Sequence, residues 1–87
     1  MRKDFCDDSW IEYLYWIKED KNILKRINQI LDDIDRNPYS GIGKPKQLRG
    51  RFAGWWSRRI DDKHRLIYRI VDDSIEICSC KGHYDDK

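Results

Sequence analysis

Residues 55–71 read WWSRRIDDKHRLIYRIV, and the alternation within them decides the fold. In the second half Leu66, Tyr68 and Ile70 fall on one face and Arg65, Ile67 and Arg69 on the other, the period of two that belongs to a strand. In the first half Trp56 and Ile60 share a face, while Trp55, Ser57 and Arg59 share the opposite one. The turn "DDKH" lies between them. Joining Ile60 to Leu66 on the core face predicts an antiparallel hairpin from whose other face Arg59 and Arg65 emerge together. Two guanidiniums side by side repel unless an anion sits between them, so the pair predicts a phosphate or carboxylate partner. Neutralisation by Asp61 or Asp62 is the plainer alternative.

Working outward, "SIEICSCK" after the turn "DDS" continues the period of two, and "QLRG" begins it, which together give an antiparallel meander. Before the meander, "NPYSGIGKPKQ" holds two glycines and two prolines in eleven residues and reads as a loop. Its G-x-G-K lacks the spacing of a phosphate loop. Further upstream the period changes to that of a helix. Ser9 and Glu12 have the form of a capping box, followed by Trp10, Tyr13, Leu14 and Ile17, which predicts a helix over 8–19. Ile23, Ile27, Ile30, Leu31 and Ile34 carry a second helix up to Asn37 and Pro38. The sum is an α+β fold, a helical hairpin and then a sheet, in a single domain spanning 1–87 with 85–87 as a frayed tail.

Charged and hydrophobic residues each make up 39% of the chain and aromatic ones 13%, a composition that folds rather than staying disordered. No run approaches a membrane span, and "MRKDFCDDSW" has acids where a signal peptide needs an apolar stretch, so the sequence points to the cytoplasm. Cys6, Cys78 and Cys80 are odd in number and read as small core residues. A strand would place Cys78 and Cys80 on one face with His83 out of phase, and no fourth ligand is evident. No metal and no cofactor are expected.

Charge is unevenly spread. Residues 41–69 carry nine cations (Lys44, Lys46, Arg49, Arg51, Arg58, Arg59, Lys63, Arg65, Arg69) against Asp61 and Asp62 alone, which marks this half as the anion-binding one. Just past the last strand stand His83 and Tyr84, side chains suited to passing a proton and gripping a phosphate near neutrality. His64, in the turn, reads as a surface residue. The aromatic residues Trp10, Tyr13, Tyr15 and Trp16 read as core or dimer packing.

Taken in order, "SWIEYLYWIKEDKNILKRIN", "NPYSGIGKPKQL", "WSRRIDDKHRLIYRI" and the "HY" near the end resemble the YoeB/Txe family of bacterial toxins in the RelE/ParE superfamily, over residues 1–84. The resemblance implies a microbial-ribonuclease-like (RelE-like) fold with a short N-terminal strand, a helical hairpin and a curved antiparallel sheet. It implies a toxin of a type II toxin-antitoxin system. Such a toxin is a ribosome-dependent mRNA interferase that cleaves messenger RNA in the A site of the 70S ribosome, without metal, by attack of a ribose 2′-hydroxyl on the adjoining phosphate. The implied partners are a YefM-type antitoxin, the ribosome with its messenger, and a second copy in a homodimer. His83 matches the family's general acid, Arg59 and Arg65 its phosphate-facing arginines, and Tyr84 its terminal tyrosine. Arg49 matches a lysine near the RNA. Lys44, Lys63 and Trp55 are further candidate RNA contacts, the last by stacking on a base. A plain solvated position is the alternative for Lys44, Arg51 and Arg58.

The family's G-K-P-E motif reads "GKPKQL" here, with Lys46 where the general-base glutamate belongs. An ordinary lysine, with a pKa of about 10.4, is neutral in only roughly one molecule in 2,500 at pH 7. Lys46 is therefore a base made neutral by its cationic neighbours, an electrostatic stabiliser, or the mark of a weakened site. RelE resembles this arrangement, using lysines in place of the carboxylate. A second departure is the tail Asp85-Asp86-Lys87. Two alternatives to the interferase remain: a catalytically disabled module that holds its antitoxin in operon repression, and a ParE-like gyrase inhibitor. The latter leaves the His83-Tyr84 terminus without a role.

Overall fold

The computed structural model describes residues 1–82, so His83, Tyr84 and the tail Asp85-Asp86-Lys87 lie outside the described residues. Two helices come first after a short strand. Helix α1 spans Asp7–Glu19 and α2 spans Lys21–Arg36. Asp20 separates them and caps the second, its Oδ1 accepting from the Asn22 and Ile23 amides at 3.0 and 3.2 Å. At the far end the Asn37 amide donates to the Asp33 carbonyl, and Pro38 prevents a further turn.

The capping box expected at Ser9 and Glu12 does not form. Cys6 is the N-cap, with its Sγ accepting from the Ser9 amide at 3.4 Å. Ser9 is buried in the first turn with its Oγ 2.7 Å from the Ile77 carbonyl oxygen, and Glu12 accepts from the Cys80 amide at 2.8 Å. Both polar groups are spent on tying the helix to a strand rather than on its own start. In consequence α1 buries Ser9 and Trp16, while Trp10, Leu14 and Ile17 of the expected apolar stripe stay exposed.

The strands are β1 (Arg2–Phe5), β2 (Lys46–Gln47), β3 (Trp56–Arg59), β4 (Arg65–Val71) and β5 (Ser74–Ser79), in the spatial order β1-β5-β4-β3-β2. The meander from β2 to β5 is antiparallel as expected, and β1 joins parallel to β5, which makes the sheet mixed. A 3₁₀ turn, Gly50–Phe52, lies between β2 and β3. The helices cover one face. Ile27, Ile30 and Ile34 of α2 are fully buried against Leu66, Tyr68, Ile75 and Ile77. Each buried isoleucine is worth roughly 1.5–3 kcal/mol relative to exposure, a large share of a domain's net stability.

Two expectations are corrected on this sheet. Cys78 and Cys80 do not share a face: the register shifts between β4 and β5, where Ile67 faces Ser79 and Tyr68 faces Ile77, so Cys78 is the extra residue of a bulge. Cys80 then turns into the core, while Cys78 remains half-buried and Cys6 exposed.

Arg58, for which a solvated position was one alternative, is fully buried. It lies in phase with Trp56 and Ile60 on the core face and pairs across the sheet with Leu66. Its Nη1 donates to Asp33 Oδ2 at 2.6 Å and to the Ile42 carbonyl at 3.1 Å, its Nη2 to the carbonyls of Asn37 and Ser40, and its Nε to the Tyr68 hydroxyl at 3.1 Å. All five guanidinium N–H donors are therefore used. The Tyr68 hydroxyl donates in turn to the Pro38 carbonyl at 2.7 Å. The result is a loop of residues 37–45 held down from beneath by a buried cation. Gly41 passes so close over Asp33 that a Cβ would collide with its carboxylate.

Candidate functional site

On the sheet face away from the helices the expected pair is present: Arg59 and Arg65 are direct partners across β3 and β4. Their amides point outward from the hairpin. The Arg59 amide donates to the Gly43 carbonyl at 2.6 Å and the Arg65 amide to the Gly82 carbonyl at 2.9 Å. Neither bond joins the two arginines, so they form the closely spaced, non-hydrogen-bonded kind of antiparallel pair, whose side chains stand nearest each other. Like charges in such positions repel.

Those same two bonds bring the flanking segments to the arginines. Gly43 is followed by Lys44, Pro45 and Lys46, and Gly82 by His83. Gly43 has a φ of +80°, and a Cβ there would meet the Arg59 carbonyl oxygen at 3.0 Å. Only glycine allows this approach. Lys46 pairs with Ser57, two residues before Arg59 on the same face. Register therefore puts Lys46, Arg59 and Arg65 on one surface, with Lys44 at its rim.

The charges of the two arginines meet no carboxylate in an ion pair among the described residues. Arg65 Nη1 donates to the main-chain carbonyls of Asp61 at 2.6 Å and His64 at 3.1 Å, not to a carboxylate. Asp61 uses its own Oδ1 to accept from the Lys63 and His64 amides at 2.9 and 2.7 Å. Burial alone would raise its pKa, yet these amides and the Arg65 charge hold it below the ordinary carboxylate value. Its chief work is to shape the turn. Among the described residues neither Asp61 nor Asp62 makes an ion pair with Arg59 or Arg65, so the Asp61 charge acts on Arg65 only at longer range.

The other candidates are more scattered. Arg49 follows β2 and is exposed, and Lys63 is exposed in the turn. Trp55 lies on the arginine side of the sheet, but one face of its ring is covered by Arg69, whose Cζ is 4.4 Å from the ring centre. Arg69 is held there by Glu76 Oε1 at 2.7 Å. His83 and Tyr84 fall outside the described residues. His64, expected at the surface, is half-buried with its ring edge-on to Trp16 at 4.8 Å. Burial pushes the Cys80 thiol up to about 12, which keeps it protonated and inert.

Comparison with known proteins decides what this surface belongs to. Residues 5–84 match the family model for the YoeB-like toxin of bacterial type II toxin-antitoxin systems. The chain belongs to the YoeB toxin family. It is 46% identical to Toxin YoeB of Escherichia coli O6:H1 over 84 residues, 97% of this chain and 100% of that protein. Among solved structures it is similar to a YoeB/ParE toxin from Agrobacterium tumefaciens, with a TM-score of 0.94 at 36% identity over 97% of this chain and 100% of the other. It is also similar to YoeB in the heterotetrameric YoeB-YefM complex of Staphylococcus aureus, with a TM-score of 0.91 at 42% identity over 97% and 98%. A YoeB dimer from the same organism matches equally well. The matched segment contains Lys46, Arg59 and Arg65, and also His83 and Tyr84. Among the described residues no helix is long and apolar enough to cross a membrane.

Proposed function

We propose that this YoeB-family chain is an mRNA interferase that cuts messenger RNA in the ribosomal A site. The observation that carries the reading is the pair of main-chain bonds from Arg59 and Arg65 to Gly43 and Gly82. They bring the lysine-bearing loop and Gly82, the residue before His83, to one cationic pair. In the reaction the ribose 2′-oxygen bonds to phosphorus, the bond from phosphorus to the 5′-oxygen breaks, and a 2′,3′-cyclic phosphate and a 5′-hydroxyl result. The 2′-hydroxyl proton passes to a base or to water, and His83 supplies a proton to the leaving oxygen. Arg59 and Arg65 meet the charge that builds on the phosphorus oxygens, and Tyr84 hydrogen-bonds the phosphate.

Burial is the usual route to a neutral lysine, and Lys46 is exposed. We therefore assign it an electrostatic role beside the arginines, with water accepting the proton. A YefM-type antitoxin would cover this face, since an acidic segment laid on the arginine pair relieves its repulsion. A homodimer, as in the Staphylococcus aureus relative, is the expected free form.

Primer extension on messenger RNA bound to programmed 70S ribosomes tests the reading. The unsubstituted chain is expected to cleave at the A-site codon, and His83→Ala to lose about 10²- to 10⁴-fold. A silent unsubstituted chain with an active Lys46→Glu variant would make the protein a disabled interferase whose function is antitoxin binding. Silence of both would end the enzyme reading.

A further inference from the structure

We propose that His64 is a positioning residue for the cleavage reaction: its imidazole grips the Gly82 amide and so fixes the residue from which the chain continues to His83. The inference rests on the interferase reading. His64 Nδ1 accepts a hydrogen bond from the Gly82 amide at 2.8 Å. Nδ1 is thus the unprotonated nitrogen, and the ring proton is on Nε2. The next residue, Arg65, binds the other end of the same glycine, its amide donating to the Gly82 carbonyl. Gly82 is held at both its N–H and its C=O by two consecutive residues of the β3–β4 hairpin.

The imidazole is itself fixed. Its ring stands edge-on to Trp16, at an interplanar angle of 72°. Trp16 Nε1 donates to the Cys80 carbonyl at 2.9 Å, so helix α1 holds both the histidine and the chain that the histidine holds. The His64 amide donates to Asp61 Oδ1. The core at this corner is completed by Trp16 and Cys80 without the imidazole. What His64 adds is a single directed bond, one peptide unit before His83.

A proton donor must stand within hydrogen-bond reach of the leaving oxygen, and an error of about 1 Å at a reacting group can cost 10²-fold. Without the Nδ1 acceptor, Gly82 can pivot about its carbonyl bond to Arg65. Its φ of +91° lies in a region that glycine leaves easily.

The test uses the full chain in two assays. In primer extension on programmed 70S ribosomes, His64→Ala is expected to cleave about 10- to 100-fold more slowly. His64→Asn, whose Oδ1 occupies the Nδ1 position, is expected to restore most of the rate. His64→Gln keeps the bulk but displaces the acceptor, and should behave like His64→Ala. In NMR of the free chain, His64→Ala and His64→Gln are expected to lose exchange protection at the Gly82 amide and to shift the His83 ring resonances, with both effects reversed in His64→Asn. Should His64→Ala not fold, the contrast between Asn and Gln carries the test. Unchanged cleavage in His64→Gln with the Gly82 amide deprotected would overturn the proposal. So would a slow His64→Asn variant in which the amide is protected again. If the unsubstituted chain does not cleave at all, the interferase reading fails separately. The positioning claim then stands or falls on whether the His83 resonances follow the residue at 64.

Discussion

Arg58 and Arg59 are neighbours on one strand, yet they belong to two different regions. Arg58 points into the core, fully buried, with its five donors spent on Asp33, Tyr68 and three loop carbonyls. Arg59 points to solvent beside Arg65, with no carboxylate among the described residues. One residue type does opposite work on the two faces because its surroundings differ. A buried guanidinium must be fully satisfied and then locks whatever satisfies it, here the 37–45 loop. An exposed one set against a like charge is left able to take an anion. The buried arginine positions the loop that flanks the Arg59-Arg65 pair.

The contrast breaks most visibly at Arg58. Arg58→Met strips the buried Asp33 carboxylate of its guanidinium, leaving it the Ile42 amide and the more distant Arg36, and frees the carbonyls of Asn37, Ser40 and Ile42; loss of one partner of a buried ion pair typically costs 3–5 kcal/mol. Urea unfolding should show that loss, and any fall in cleavage should follow the unfolded fraction. Arg59→Ala should do the reverse. Cleavage on programmed ribosomes falls about 10²-fold, as when one charge-stabilising donor is removed. The urea midpoint holds or rises slightly, because the repulsion across to Arg65 is relieved. Equal losses of stability from both substitutions would dissolve the distinction between the faces.

Gly43 joins the two regions and should respond in both assays. Gly43→Ala forces a side chain onto the Arg59 carbonyl in a left-handed backbone conformation, at a cost of about 1–3 kcal/mol. Gly54→Ala is the control. Gly54 has a φ of +92° with no atom within 4 Å of an added Cβ, so it carries the backbone penalty without the collision. The excess loss at Gly43 measures the contact, and only there should cleavage fall as the Lys44-to-Lys46 loop lifts from Arg59.

The arginine pair was legible because it needs only the period of two and a turn of known length; once Ile60 and Leu66 share the core, Arg59 and Arg65 have nowhere else to go. Arg58 was misjudged for a related reason. It stands in phase with Trp56 and Ile60, so the period put it inside, but a charge is read as surface unless its partner is known. That partner, Asp33, lies 25 positions away on a helix otherwise lined by isoleucines. An acid three residues after Ile30, at the edge of the isoleucine stripe, was the available signal. His64 and Glu12 eluded the sequence similarly, because their partners are main-chain atoms of residues 80–82, which no side-chain pattern reveals. The bulge at Cys78 was illegible too, since it breaks the alternation by which strands are read.

The smallest effect expected is in acid, and it again separates the faces. The Arg58 hydrogen bond, followed by the Ile42 amide, holds the Asp33 carboxyl below its ordinary value of 3.8 against the opposing pull of burial. A carboxyl whose folded pKa is depressed binds its proton less readily folded than unfolded. Its stabilising contribution is therefore present in full above about 3.8 and is lost as pH falls through the lower folded value. Urea midpoints followed downward from about pH 5 should decline in the unsubstituted chain and in Arg59→Ala with the same slope. Asp33→Asn should flatten the part of the decline that belongs to this carboxyl, because the amide has no proton to take up. Asp35 and Asp61, also held low by their own partners, keep the remainder of the slope in every variant. A slope that changed with Arg59→Ala but not with Asp33→Asn would place the acid sensitivity on the open face, and the buried network would lose its claim to govern the loop through charge.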